Sequence, residues 1–170
     1  MDPYISLAKQ AVESYVLNGT KISNPSELPD ELTGRTAGVF VTIFKEGQLR
    51  GCLGTIAPIQ GSIAAEIIEN AVATATRDYR FDPVAAKELG SLAYEVSVLF
   101  PPEPLKNPKR HNPQSDGLIV KTPDGRSGLL LPDIEGVETL EQQLEICAEK
   151  GQIDLQRDHY KLLEFKVEKH

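Results

Sequence analysis

The chain has 170 residues, 40% apolar and 25% charged, which are ordinary proportions for a soluble globular protein of one domain. Its formal charge of −7 argues against nucleic-acid binding, which depends on Lys and Arg neutralising phosphates. Apolar runs stop well short of the roughly 18 residues that span a bilayer, and Met1-Asp2-Pro3-Tyr4 lacks signal-peptide character, so a cytoplasmic protein with no membrane or nucleic-acid partner is expected.

Asp2-Pro3 opens a first helix as N-cap and first-turn proline. Tyr4, Ile5, Ala8, Val12, Tyr15 and Val16 form its apolar face, and Gly19 ends it. A loop through Asn24-Pro25 and Leu28-Pro29 follows. Ala37 to Phe44, apolar at nearly every position, reads as a buried strand, and Lys45-Glu46-Gly47 turns it into the strand that carries Cys52. Ile63, Ala64, Ile67, Ile68, Ala71, Val72 and Ala75 recur at helical spacing behind Ser62 as N-cap, which predicts a helix to about Thr76. Asp82-Pro83 caps a short helix through Glu88, and Leu92 to Phe100 is a strand ended by Pro101-Pro102. Gly117 to Val120 and Ser127 to Leu131 form a second hairpin. Thr139 and Gln142 make a capping box for a helix ending near Lys150, with Gly151 as its stop. Leu163, Phe165 and Val167 alternate with charged residues, as in a half-exposed final strand. Hairpins mixed with isolated helices predict an α+β fold with a mixed, largely antiparallel sheet and packed helices. Residues 1–170 read as a single domain, with Pro101 to Pro113 as the junction between two lobes.

The segment Leu49-Arg50-Gly51-Cys52-Leu53-Gly54-Thr55 concentrates the chemistry. Strand alternation predicts Arg50 and Cys52 on one face, with Leu49, Leu53 or both packed into the core from the other. A neighbouring guanidinium favours thiolate over thiol, which makes Cys52 a candidate nucleophile. Gly51 and Gly54 would let a ligand or another backbone approach closely, and Thr55 could donate to a substrate oxygen. Downstream, Asp78 is placed to pair with Arg50 or a proton carrier, and Arg80 to bind the charged end of a ligand. Each residue also has a plain structural reading: Cys52 as a small buried hydrophobe, Arg50 as an ion-pair partner, Asp78 and Arg80 as pins for a loop. Cys147 follows Leu140 and Leu144 on one helical face and reads as core. Cys52 and Cys147 are not expected to form a disulfide in a reducing compartment. No phosphate loop, dinucleotide fingerprint, paired-cysteine motif or nucleophile elbow occurs. His111, His159 and His170 show no zinc spacing with another His or Cys, so neither a cofactor nor a metal is read from the sequence. His111 has the titration range of a general base, but nothing places it near Cys52.

Taken together, this segment closely resembles the signature of the AMMECR-domain family. Gly38-Val39-Phe40-Val41-Thr42 resembles the strand that leads into it, and Asp78-Tyr79-Arg80-Phe81 resembles the family's Asp-Pro-Arg-Phe, with tyrosine in place of proline. Glu95-Val96-Ser97-Val98-Leu99, Asp116-Gly117-Leu118 and Gly128-Leu129-Leu130-Leu131-Pro132 are similar in kind and order. The resemblance implies two unequal lobes with the signature near the groove between them, and no established reaction. It also implies association with Memo-like and radical-SAM proteins in a modification pathway. Two functions stand side by side. One is a cysteine-centred enzyme using Cys52, Arg50 and Asp78, with Gly51, Gly54, Thr55 and Arg80 binding a small-molecule or peptide substrate. The other is a non-catalytic peptide- or protein-binding module that uses the signature groove.

Overall fold

The computed structural model describes residues 2–170. The chain forms two compact units, one made of the residues through Leu99 with Glu168–His170, the other of Phe100–Val167. It is an α+β fold, and the strand pairings within each unit are antiparallel.

In the first unit, helix α1 (Pro3–Asn18) starts where Asp2 Oδ1 accepts the backbone N–H groups of Tyr4 and Ile5, at 2.8 and 3.3 Å. It ends at Gly19, whose φ of 67° is left-handed. A single helical turn, α2 (Asp30–Thr33), lies in the stretch expected to be loop. One turn is too short to leave a periodic signal, yet it buries Leu32. Strands β1 (Gly38–Lys45) and β2 (Gln48–Gly54) form the expected hairpin around Glu46-Gly47, with φ of 52° and 76°, as a two-residue primed turn demands. Strand β3 (Leu92–Leu99) pairs with the opposite side of β1, so β2 lies at an edge of the sheet. Helix α3 (Ile63–Arg77) is capped by Ser62, which accepts the Ala65 N–H at 3.1 Å. All seven apolar residues predicted on its buried face are buried, over Val39, Val41 and Ile43 of β1 and in one core with Val96 and Val98 of β3. Each large aliphatic side chain there is worth about 1.5–3 kcal/mol. The short helix expected from Asp82 is instead a 3₁₀ turn over Ala86–Ser91, and Asp82-Pro83 lies ahead of it. His170 exchanges backbone hydrogen bonds with Val96 and stacks on Tyr4 at 3.7 Å.

In the second unit, β5 (Asp116–Lys121) lies between β6 (Ser127–Leu130) and β7 (Lys161–Lys169), and the two-residue β4 (Glu103–Pro104) pairs with β7. Helix α4 (Leu140–Gly151) opens with the predicted Thr139–Gln142 capping box. Its left-handed cap is Gln152, with φ of 52°, and not Gly151. Gly151 is needed for another reason: a Cβ there would lie 2.9 Å from the Gly128 nitrogen, so the glycine lets α4 lie directly on β6. Leu118, Val120, Leu130, Cys147 and Ala148 form this unit's core. Among the described residues no helix is long and apolar enough to cross a membrane.

Candidate functional site

Four polar residues at four-residue intervals, Glu66, Asn70, Thr74 and Asp78, run down α3 and just past its end, all buried. Each bonds the β1–β2 hairpin or the loop leaving it. Glu66, only 1% exposed, accepts the Thr55 hydroxyl at 2.7 Å and the Ile59 and Gln60 N–H groups at 2.9 and 2.8 Å. Asn70 Nδ2 donates to Val39 O at 3.0 Å. The Thr74 hydroxyl donates to Val41 O and accepts from Leu53 N, both at 3.0 Å. Asp78 Oδ2 accepts Cys52 N–H at 2.9 Å. A polar group buried without such partners would cost several kcal/mol, so this line sets the register of helix on sheet. Periodicity of apolar residues is blind to it, but polar residues four apart on a helix otherwise buried on that side are a legible signal.

The signature strand lies under this line. The register of β2 on β1 shifts between Ile43 and Phe44, leaving Arg50 as the extra residue of a β-bulge. The bulge interrupts the two-residue alternation between Arg50 and Cys52, while Leu53, paired with the buried Val41, keeps the side opposite the Cys52–Thr42 pair. Leu49 is 42% exposed and Leu53 half-buried. Arg50 instead forms a two-pronged ion pair with Glu88 at 3.1 and 3.0 Å, and Lys45 joins the same carboxylate at 3.0 Å. Arg50, the Ala85 N–H and Lys45 hold Glu88 down at about 2. Asp78 accordingly pairs with Arg80 and not with Arg50. Arg80 donates Nε to Asp78 Oδ1 at 2.9 Å and Nη2 to Oδ2 at 2.7 Å.

Asp78 and Arg80 also close the free edge of β2. The carboxylate takes Cys52 N–H, and Arg80 Nη2 donates to Cys52 O at 3.2 Å, so one ion pair supplies the bonds a further strand would make. Bonding to Arg80 brings Asp78 down to about 2. The half-buried Cys52 thiol receives the Thr42 hydroxyl at 3.3 Å. Burial pushes its pKa up, against the pull of Thr42 and Arg80, and the charges of Asp78 and Glu95 push the same way. Burial and the two carboxylates thus work against a thiolate here, and Arg50, expected to stabilise one, is engaged with Glu88.

The glycines and Thr55 face protein rather than an open surface. A Cβ on Gly51 would lie 2.9 Å from Thr74 O, and one on Gly54 would lie 2.4 Å from Val39 O and the Phe40 ring. Of the two expected partners, a ligand or another backbone, it is the chain's own backbone that approaches. Cys147 is core as expected, buried, bonded to Leu118 O at 3.4 Å and pushed up to about 11 by burial.

A second constellation lies in the other unit. The His111 side chain is fully buried, with Nδ1 3.0 Å from Glu164 Oε2 and 4.0 Å from Asp116 Oδ2, and Nε2 2.6 Å from Gln143 Oε1. A cleft of about 360 Å³ beside it is lined by Asp116, Glu164, Phe165 and Lys166 among others.

The AMMECR1 family model matches residues 5–170, nearly the whole chain. The chain belongs to the AMMECR1 family. A Thermotoga maritima protein is 43% identical over 99% of this chain and 97% of its own length. A Clostridium acetobutylicum protein is 41% identical over 99% of this chain, which spans only 36% of that relative. The crystal structure of the uncharacterized protein PH0010 from Pyrococcus horikoshii is similar with a TM-score of 0.88 and 34% identity, covering 98% of this chain and 88% of that one. The segment Asp78-Tyr79-Arg80-Phe81 forms a closed turn with tyrosine at its second position. Phe81 N–H bonds Asp78 O at 3.0 Å and Arg80 N–H bonds Asp78 Oδ1 at 3.2 Å, closing the turn from both ends. Tyr79 occupies the second turn position, where proline is favoured for its φ but not required, and is 93% exposed.

Proposed function

We propose that this AMMECR1-family chain is a non-catalytic module that binds a protein partner through the turn beside the signature strand. One observation carries the reading: around Cys52 the groups needed for thiolate chemistry are already engaged. Asp78 and Arg80 bond each other and the Cys52 backbone, Arg50 bonds Glu88, and Thr55 bonds Glu66. Tyr79 meanwhile stands in solvent on a turn braced at both ends, next to an Arg80 side chain 42% exposed and the neighbouring Phe81 ring. Tyrosine and arginine on a pre-formed surface are the side chains that dominate protein interfaces, because little conformational freedom is lost when they bind. The Clostridium relative, in which this domain is about a third of a longer chain, fits a unit that works alongside other domains. The cysteine-centred enzyme finds less support, because the thiol's pKa is raised and the carboxylate beside it, Asp78, is already paired with Arg80.

Memo-like and radical-SAM proteins are the partners this reading nominates, with a modification pathway as the setting. Calorimetric titration with a purified Memo-like or radical-SAM protein from the same genome tests it. Tyr79→Ala should weaken binding at least about tenfold, roughly 1.4 kcal/mol, while Cys52→Ala leaves it unchanged. Loss of binding in Cys52→Ala with Tyr79→Ala unaffected would return the thiol to the centre of the function.

A further inference from the structure

We propose that His111, Asp116 and Glu164 form a binding site for one divalent transition-metal ion of the Zn²⁺ or Mn²⁺ class. The site belongs to the second unit and does not rest on the binding-module reading.

The hydrogen-bond network settles which nitrogen of His111 is free. Gln143, itself fully buried, donates Nε2 to the Asp116 backbone oxygen at 2.9 Å, so its Oε1 faces His111 and accepts Nε2–H at 2.6 Å. The neutral ring then carries its hydrogen on Nε2, and the Nδ1 lone pair points at Glu164 Oε2, 3.0 Å away. Two electron-rich atoms at that distance need a positive centre between them, either a proton or a metal ion. A proton would satisfy that pair alone. Asp116 Oδ2 converges on the same point, and the three ligand atoms lie within 4.8 Å of one another. Metal ligands of this kind sit about 2.0–2.2 Å from the ion and hence up to roughly 4.3 Å apart, so a small swing of the half-exposed Glu164 side chain closes the set.

The surroundings suit the ion. Asp116 engages Lys166 and Ser115 through Oδ1, and its Oδ2 takes one N–H, from Asn112 at 2.8 Å, which leaves a second lone pair. Neutral imidazole, two carboxylates and the Lys166 ammonium sum to one negative charge, which favours a dication. The His111–Gln143–Asp116 chain is the outer support that metal-bound histidines use to hold their tautomer and aim. One nitrogen with two carboxylate oxygens fits Zn²⁺ or Mn²⁺ better than a soft-metal site. The cleft lined by Asp116, Glu164 and Lys166 supplies the entry path. On loading, the metal takes Nδ1 and Glu164, and any proton they share leaves to solvent.

The test uses the full chain without a purification tag, stripped with a chelator, then incubated with ZnCl₂ or MnCl₂ and desalted for metal analysis. The wild type should retain one equivalent of at least one of the two metals, and competition against a chromophoric chelator gives its affinity. Glu164→Gln keeps shape at a half-exposed position and removes a ligand charge, so it should lose the metal while circular dichroism stays native. His111→Gln should behave likewise where it folds, and Gln143→Met should weaken binding by about 10–100-fold. A wild type that retains neither metal overturns the proposal, as does a folded Glu164→Gln that retains it equally well.

Discussion

Helices α3 and α4 solve the same problem, seating a helix on an antiparallel sheet, with different emphasis. Helix α3 docks through side-chain chemistry, with Glu66, Asn70, Thr74 and Asp78 each bonding the β1–β2 hairpin or its exit loop. Helix α4 has its own bonds to the sheet, from Gln143 to Asp116 O and from Cys147 to Leu118 O, but its closest approach is made through missing side chains. Gly128 of β6 lies so close under it that a Cβ would fall 1.7 Å from Cys147 O, and Gly151 faces it from the helix. A polar seam fixes one register, because every alternative leaves buried donors and acceptors unpaired, yet it tolerates small changes in spacing. A glycine seam fixes distance and tolerates no added atom.

That contrast breaks most sharply at the glycines. Gly128→Ala must push α4 off its sheet and should cost about 3 kcal/mol or more, at or beyond the upper end of overpacking effects. Gly51→Ala meets the Thr74 carbonyl oxygen at 2.9 Å and its methyl at 3.0 Å, so the backbone there must shift, but by less than the 1.7 Å approach at Gly128 demands. Its cost should be about 1–2 kcal/mol. Denaturant unfolding of both variants checks the order. Equal midpoints would mean that the two seams do not differ in tolerance.

The first seam also carries a pH dependence of its own, through Asp78. Asp78 sits at about 2 in the folded protein against an ordinary 3.8, a depressed carboxylate held down mainly by Arg80. Its stabilisation is therefore fully present above about pH 4 and fades as pH falls from there through 2. The 42% exposed Arg80 side chain lets water screen part of it, so Asp78→Asn should cost about 1–2 kcal/mol at pH 7. The gap between variant and wild type should be the same at pH 7 and 5 and shrink when unfolding is repeated at pH 4, 3 and 2.5. A gap independent of pH would assign the role of Asp78 to its hydrogen-bonding shape and not to its charge.

The elements were legible because their signals are local: the Asp2, Ser62 and Thr139 caps, the Glu46-Gly47 turn and the α3 apolar repeat each act within a few residues. The candidate sites were less legible because theirs are not. The bulge at Arg50 comes from pairing with β1, which cannot be seen along β2 alone, and it redirected Arg50 from Cys52 to Glu88. Asp78 and Arg80 were found by motif, yet their common task at the edge of β2 emerges only once that edge is known. His111, Asp116 and Glu164 come from a loop and two paired strands, so no ligand spacing linked them. Gly51 and Gly54 were read correctly as points of close approach, and of the two partners expected there it is backbone that fills the space.

The smallest effect separates the two cysteines and bears most directly on function. Cys52 is half-buried with its pKa raised, while Cys147 is buried and at about 11. Native alkylation with iodoacetamide across pH 6–10 should therefore be slow at Cys52, rising only above the ordinary thiol range of roughly 8.5, and negligible at Cys147. Because Arg80 is the cation acting on the Cys52 thiol, Arg80→Ala should move its labelling curve further up in pH. Arg50→Ala should leave the curve in place, since Arg50 is committed to Glu88. A downward curve centred near neutral pH, or one displaced by Arg50→Ala and not by Arg80→Ala, would reinstate an activated thiol. The edge of β2 would then be a reactive centre and not a braced surface for a partner.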